Sequence, residues 1–152
     1  EATEAPPMRM AAPEFQDLAR RFLGFEAAHD DSSDARADVA VRVIEELRLR
    51  LIRLAGVDGF RSLLSRALTL AKAEVPSLKM AHVSADGSLE GFNEIEQTEE
   101  AGATEQAGIV LVAHLLELLV TFIGAPLTLR LVRDKWPDAS MDGTDVRTEE
   151  KP

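Results

Sequence analysis

The sequence predicts a mainly α-helical fold, a bundle of four to five helices with a small β-hairpin or irregular insert near residues 78–93. Two observations lead to this prediction. Apolar residues recur at three- and four-residue steps over much of the first half of the chain, the period of a helix with one buried face. A later stretch is apolar almost all round, as in a helix that other helices enclose. With 152 residues, 45% hydrophobic and 29% charged, the chain has the size and balance of one globular domain.

The first helix is predicted from about Pro13 to Ala28. Its large apolar residues fall on one helical face: Phe15, Leu18, Phe22 and Phe25. An acidic run at 29–34 ends the pattern, and its serine and aspartate side chains can accept hydrogen bonds from the first amides of the next helix. That run holds one histidine and three aspartates but lacks the spacing of a calcium loop, so we interpret it as a solvated cap.

Two further helices are predicted, from Ala35 to Leu54 and from Gly59 to about Glu74. Gly56 separates them because glycine readily adopts the left-handed conformation that closes a helix. Pro76 ends the second helix because proline has no amide hydrogen to donate. The predicted buried positions of the two helices are Ala40, Val43, Ile44, Leu47, Leu51, Leu54, Phe60, Leu63, Leu64, Ala67, Leu68 and Ala71.

Residues 78–93 change character. Asp86 and Gly87 are a turn-forming pair between two short, partly alternating segments, which predicts a two-stranded ribbon resting on the helices. Ser88 and Glu90 add further oxygens, but a glycine directly after the aspartate favours a hairpin turn over an ion-binding loop. The next segment, 93–106, contains five glutamates and one large apolar residue, so we expect a mobile acidic connection.

The fourth helix, from about Thr104 to Ile123, is the predicted centre of the bundle. We expect no membrane span there, because Glu117 would lie in the middle of the bilayer, where an acid costs about 2.5–3.5 kcal/mol. A turn at Gly124 leads into a fifth helix, predicted from Leu127 to Trp136 with a proline in its first turn. Its predicted inward residues are Leu127, Leu131 and Val132, and its outward residues are Arg130, Arg133 and Lys135.

The polar composition of the two terminal segments predicts the domain organisation. We expect 1–12 to be a disordered lead-in, 13–137 the single folded domain and 138–152 a disordered acidic tail. The chain has no cysteine, which excludes disulfide frameworks, thiol nucleophiles and cysteine-ligated metals. Its sequence has no glycine-rich phosphate loop and no nucleophile elbow, so no motif indicates an enzyme and we expect no cofactor. It starts without a secretory signal pattern, and we expect a cytoplasmic protein.

His114 and Glu117 lie three residues apart, on one face of the predicted fourth helix. An inward His-x-x-Glu pair is half of a metal site found in some four-helix bundles. The other long helices offer only Glu45, Glu46 and Glu74 as further ligands and no second histidine. A hydrogen-bonded buried pair is therefore the favoured interpretation. A sensor that binds a metal or small ligand at this pair is the alternative.

The segment 113–117, with the sequence Ala-His-Leu-Leu-Glu, resembles the active helix of histidine-phosphotransfer domains, which are also helical bundles. The resemblance covers about fifteen residues, through the Gly-Ala pair and Leu127, and implies that His114 is an exposed phosphoryl carrier. Those domains usually have a lysine three residues after the histidine and a small residue four after it. Here Glu117 and Leu118 occupy these positions. An acid beside a phosphorylated imidazole repels it.

The net charge of −10 is unevenly distributed. Residues 36–80 carry nine basic and five acidic side chains, a net of +4, whereas 81–108 carry seven acids and no base. The basic concentration is a predicted partner face of six arginines: Arg42, Arg48, Arg50, Arg53, Arg61 and Arg66. Guanidinium groups bind carboxylates and phosphates. Because 81–108 is wholly acidic, we expect pairing with acids of this chain or of a second copy rather than with nucleic acid.

As function, we expect a non-enzymatic regulatory or adaptor module that binds protein and forms a homodimer. An apolar fourth helix in so small a chain exceeds what the other helices are expected to cover, so a second copy would cover the rest. The predicted interface residues are Ile109, Val112, Leu116 and Val120. The alternative function is the sensor or phosphotransfer-like bundle that uses His114 and Glu117.

Overall fold

The computed structural model describes residues 12–28, 36–92, 101–133 and 136. Within these residues, the fold is a bundle of four α-helices with a short 3-10 helix and a small antiparallel sheet. In chain order the elements are α1 (Pro13–Ala28), α2 (Arg36–Glu74), the 3-10 helix (Pro76–Met80), β1 (His82–Val83), β2 (Leu89–Glu90), α3 (Ala101–Ile123) and α4 (Ala125–Arg133). The predicted fold class is confirmed. The predicted terminal segments, apart from 12, and the acidic run at 29–34 lie outside the described residues.

α1 has the predicted bounds and buries most of the predicted face. Phe15, Leu18 and Phe22 are in the core, whereas Phe25 is half-buried. The ring of Trp136 stacks on Phe22 with the two centroids 4.2 Å apart. This contact attaches the chain beyond α4 to α1, and it explains why the largest apolar side chain after α4 is buried.

α2 contains both helices that the sequence predicts on either side of Gly56. That residue has φ 82° and ψ 168°, so the helix is kinked there. A positive φ of this kind favours glycine. The predicted stripe is buried in both halves, with the exceptions of Leu63, which is half-buried, and Leu54, which is 48% exposed. Leu54 lies in the last turn before the kink, where the helix leaves the core.

α3 is the centre of the bundle, as predicted. Every residue from Ala107 to Leu116 is buried, and the helix packs against both α1 and α2. Because α3 begins at Ala101, residues 101–106 of the expected mobile connection are helical, while 93–100 lie outside the described residues. By length and composition the stretch Thr104–Ile123 could also cross a membrane. Core helices of soluble proteins share this length and composition, and most of this stretch is buried inside the bundle.

α4 differs from the predicted fifth helix in length and in its buried face. It covers Ala125–Arg133, whereas the sequence predicted 127–136. Its buried residues are Thr128, Leu129 and Val132. Leu127 and Leu131, both predicted inward, are only half-buried. The buried Thr128 has a local hydrogen-bond partner, because its hydroxyl donates a hydrogen bond of 2.8 Å to the carbonyl oxygen of Gly124.

In the hairpin, one carboxylate, that of Asp86, holds the turn between the two strands. Its strands pair His82 with Glu90 and Val83 with Leu89. Oδ1 of Asp86 accepts hydrogen bonds from Ser84 Oγ at 2.5 Å, Ser88 N at 3.0 Å and Ser88 Oγ at 2.7 Å. These bonds, with that of Ser84 the largest cause, hold the pKa of the Asp86 carboxyl well below its ordinary value. The side-chain oxygens of Ser84, Asp86 and Ser88 therefore stabilise a hairpin turn, as the Asp-Gly pair predicted. At Gly91, with φ 83°, a side chain would clash with the carbonyl of Met80.

Candidate binding surface

His114 is buried in the core and hydrogen-bonded across the bundle. Its imidazole has no exposed surface, and Nε2 lies 2.7 Å from Oε2 of Glu74, the last residue of α2. The Glu74 side chain is only 7% exposed. Nδ1 lies 4.0 Å from Oε1 of Glu117, beyond hydrogen-bond distance, and has no hydrogen-bond partner in the part of the chain that the structure describes. A buried polar contact therefore joins α3 to the end of α2.

The partner of His114 differs from the one that the sequence favoured. Spacing along one helix identified Glu117, but the packing of α2 on α3 brings Glu74 to the imidazole instead. Over the described ranges, no three His, Cys, Asp or Glu side chains form a group that could hold a metal ion. Phosphoryl transfer needs an imidazole that a partner protein can reach, and His114 is 0% exposed. The arrangement has the geometry of a structural hydrogen bond between buried groups.

The predicted homodimer interface lies mostly inside the single chain. Ile109 is 6% exposed, Val112 and Leu116 are 0% exposed, and Val120 is half-buried. The premise of that interface, that the chain's own helices leave α3 uncovered, is wrong at the first three positions. The large apolar side chains that are exposed among the described residues are not those of the predicted interface. Phe122 lies on α3, and the others lie on α2 or in the 3-10 helix: Leu49, Leu54, Val57 and Met80.

Four of the six arginines of the predicted basic face pair with acids of their own chain. The pairs are Arg42–Glu26 at 3.7 Å, Arg48–Glu45 at 2.6 Å, Arg50–Glu46 at 2.7 Å and Arg61–Asp58 at 3.6 Å. Three of these acids lie three or four residues from their arginine on α2, the nearest positions on one helix face, and Glu26 lies on α1. Arg48 also donates to the backbone carbonyl of Asp86 at 3.4 Å, which joins α2 to the hairpin.

Arg53 lines a groove of about 350 Å³ between α2 and α4. We call it the arginine groove, and its lining residues are Arg50, Arg53, Leu54, Arg130 and Leu131. Arg50 pairs with Glu46. Arg53 and Arg130 are exposed, and neither forms an ion pair with an acid of the described residues. Both leucines are residues that the sequence predicted to face the core, but Leu54 is 48% exposed and Leu131 only half-buried, which gives the groove its apolar surface.

Sequence reasoning identified part of this groove. Arg50 and Arg53 belonged to the predicted basic face, whereas Arg130 was predicted only as an outward residue of its helix. The signal that could have suggested the groove is the exposed position of Arg130 combined with the turn at Gly124, which has φ 91°. Such a turn brings α4 beside the preceding bundle, but only the packed structure shows which stretch of α2 it meets.

The groove has a positive charge in an acidic chain. Three guanidinium groups line it, and two of them, those of Arg53 and Arg130, form no ion pair with an acid of the described residues, while the whole chain has a net charge of −10. Guanidinium groups bind carboxylates with two parallel hydrogen bonds, and the exposed Leu54 and half-buried Leu131 beside them can contact an apolar side chain. The groove is therefore suited to a ligand that carries carboxylates next to an apolar group.

No protein-family model matches the chain, and no match is found among curated proteins or solved structures. The geometry of the groove and of the core is thus the basis for any functional conclusion.

Proposed function

We propose that this chain is a non-enzymatic adaptor module that binds an acidic segment of a partner protein in the arginine groove. One observation supports the proposal most directly: Arg53 and Arg130 line the same groove as the 48%-exposed Leu54, and no acid of the described residues neutralises either guanidinium group. Arginine is among the residues that contribute most energy to protein interfaces. Apolar contact beside the charge adds affinity for a peptide.

The two leucines favour a peptide over a nucleic acid. A phosphate backbone satisfies guanidinium groups, but it offers no apolar side chain to Leu54 and Leu131. A polyanion is also repelled by a chain of net charge −10. A short segment with a few carboxylates experiences much less of this repulsion. The proposed contact is therefore an acidic segment with leucine-like side chains.

A homodimer through α3 is not part of this proposal, because Ile109, Val112 and Leu116 are already buried in one chain. Light scattering coupled to gel filtration tests whether a second copy occupies the groove instead. A dimer that Arg53→Glu converts to a monomer would make the second copy the occupant and would overturn the proposal of a partner segment.

The direct test uses a defined probe, a fluorescein-labelled peptide of alternating glutamate and leucine, measured by fluorescence anisotropy. We expect saturable binding to the wild-type chain and much weaker binding of the same peptide with glutamine in place of glutamate. Arg53→Ala and Arg130→Ala should each weaken binding about fivefold, the effect of roughly 1 kcal/mol for one exposed ion pair. Arg66→Ala is the matched control, because Arg66 is exposed on α2 but does not line the groove.

Two outcomes would overturn the proposed function. Equal loss of binding in Arg66→Ala and Arg53→Ala would show that the peptide responds to overall charge and not to the groove. Binding of a duplex DNA oligonucleotide that depends on Arg53 and Arg130, without binding of the acidic peptide, would favour the nucleic-acid interpretation. Circular dichroism of each variant checks that the helical fold is intact.

A further inference from the structure

The arginine groove and the start of the acidic tail, residues 138–152, lie at the same end of α4. Arg130, which lines the groove, is in the last turn of that helix. Beyond the helix, the backbone amide of Trp136 donates a hydrogen bond of 2.8 Å to the carbonyl oxygen of Val132, and the Trp136 side chain is buried. The tail itself lies outside the described residues. Its point of departure, however, is fixed at the end of α4.

The sequence of the tail has the chemistry that the arginine groove is suited to bind. Its first nine residues, 138–146, contain three aspartates and no basic residue. Two of these aspartates have an apolar neighbour, because Met141 precedes Asp142 and Val146 follows Asp145. Each pair places a carboxylate beside an apolar side chain. Guanidinium groups bind the carboxylate, and the leucines of the groove can contact the apolar neighbour.

The tail is long enough to reach the groove. Asp142 is six residues beyond Trp136 and Asp145 is nine residues beyond it, which correspond to roughly 20 and 30 Å of extended chain. A helix with its side chains is only about 10–12 Å across. The tail can therefore pass around α4 to the groove. Attachment to the same chain raises the effective concentration of a ligand to about the millimolar range, so a contact with a Kd of about 0.3 mM keeps the groove occupied for about three quarters of the time.

A second acidic segment, 93–100, is less well placed for this contact. It follows Phe92, and both Phe92 and Ala40 of α2 lie within 4 Å of the Cβ position at Gly108 of α3. The groove residues at 50–54 are ten to fourteen residues further along α2, roughly 15–21 Å of helix. The segment is also attached at both ends, to the hairpin and to α3. Its glutamates therefore offer a control for the charge of the tail.

From these observations we propose that the acidic tail occupies the arginine groove of its own chain and competes there with the partner segment. This inference rests on the proposed function of the groove. The aspartates of the tail pair with Arg53 and Arg130, and their apolar neighbours contact Leu54 and Leu131. A partner segment binds by displacing the tail, so the tail lowers the apparent affinity of the groove for its partner.

The first experiment locates the tail with no partner present. The chain contains no cysteine, so Ser140→Cys provides a single thiol for a nitroxide label in the tail of the full chain. The label broadens the NMR signals of nearby amides. We expect broadening at 50–54 of α2 and its loss in the Arg53→Glu/Arg130→Glu variant, because like charges repel the tail. Absence of broadening at 50–54, or broadening that persists in the charge-reversed variant, would overturn the inference.

The second experiment measures the competition. It uses the labelled glutamate–leucine peptide and fluorescence anisotropy, again with the full chain. The variant Asp138→Asn/Asp142→Asn/Asp145→Asn removes the three carboxylates from the first part of the tail. It should bind the peptide about fourfold more tightly than the wild-type chain does, the gain expected when a competitor that fills the groove for about three quarters of the time is removed.

The matched control is Glu94→Gln/Glu96→Gln/Glu99→Gln, which removes the same number of charges from 93–100. It should bind the peptide within about twofold of wild type, because charges more than about 10 Å from a site are largely screened at 0.1 M salt. Equal tightening in both triple variants, or unchanged affinity in the tail variant, would overturn the competition. If no variant binds the peptide while the nitroxide broadens 50–54, the proposed function fails and the contact of the tail with the groove stands.

Discussion

Polar side chains from distant parts of the chain meet at two places, in the core and in the arginine groove. The core contact between His114 and Glu74 is buried, whereas the groove is open to solvent. In the core, the two groups are 2.7 Å apart and 0% and 7% exposed. In the groove, Arg53 and Arg130 are exposed and form no ion pair with the described residues. Buried groups that satisfy each other contribute to the fold, whereas exposed charges without a partner are available to a ligand. The groove is thus the better functional candidate, although the histidine is the more conspicuous residue in the sequence.

The largest expected effect comes from breaking the core contact. Glu74→Leu removes the hydrogen-bond partner of a fully buried imidazole, which should lower the free energy of unfolding by about 1–3 kcal/mol. Urea denaturation followed by circular dichroism measures this loss. The acidic peptide should still bind the folded fraction with unchanged affinity, because Glu74 does not line the groove.

The matched control is the double variant His114→Leu/Glu74→Leu. It removes both members of the hydrogen bond, so the buried imidazole is not left without Glu74, and it should be more stable than Glu74→Leu alone. A double variant no more stable than the single one would show that packing, and not the hydrogen bond, determines the effect. An unchanged stability in Glu74→Leu would contradict a structural role for the contact.

An intermediate loss of stability is expected from replacing Asp86 in the hairpin turn. The depressed pKa of Asp86 means that the ionised carboxylate stabilises the folded state. This contribution is complete above the pKa that the Asp86 carboxyl has in the unfolded state, about 4. It is lost as the pH falls towards the lower pKa that the same carboxyl has in the folded state. Asp86→Asn should therefore lower the Tm at pH 7 by more than at pH 3. A difference between the two proteins that is the same at both pH values would contradict this role of the charge.

The smallest effect is expected from an exposed pair of the same residue types as the core contact. His82 Nε2 lies 3.1 Å from Glu90 Oε1 across the hairpin, with side chains 62% and 55% exposed. His82→Gln should change the free energy of unfolding by less than about 0.5 kcal/mol, because exposed pairs contribute little. A loss as large as that of Glu74→Leu, measured by the same urea denaturation, would mean that burial does not explain the difference between the two pairs.

Local signals in the sequence predicted much of the fold. The bounds of α1, the kink at Gly56 and the turn at Asp86 depend on residues only a few positions apart, and the structure has all three. The partner of His114 and the exposed face of α4 depend on how helices pack, which periodicity does not encode. Leu131 is an example: its spacing fits an inward stripe, but burial of Thr128, Leu129 and Val132 turns it towards the arginine groove. The groove was therefore only half predictable, through the arginines of α2.

The most direct test of the proposed function is a map of the peptide contact by NMR. Amide chemical shifts of the isotope-labelled chain are followed while the acidic glutamate–leucine peptide is added. We expect the largest shifts at 50–54 of α2 and 130–131 of α4, and their loss in the Arg53→Ala/Arg130→Ala double variant. Shifts concentrated away from both stretches, or shifts that persist in the double variant, would contradict the assignment of the arginine groove as the binding surface.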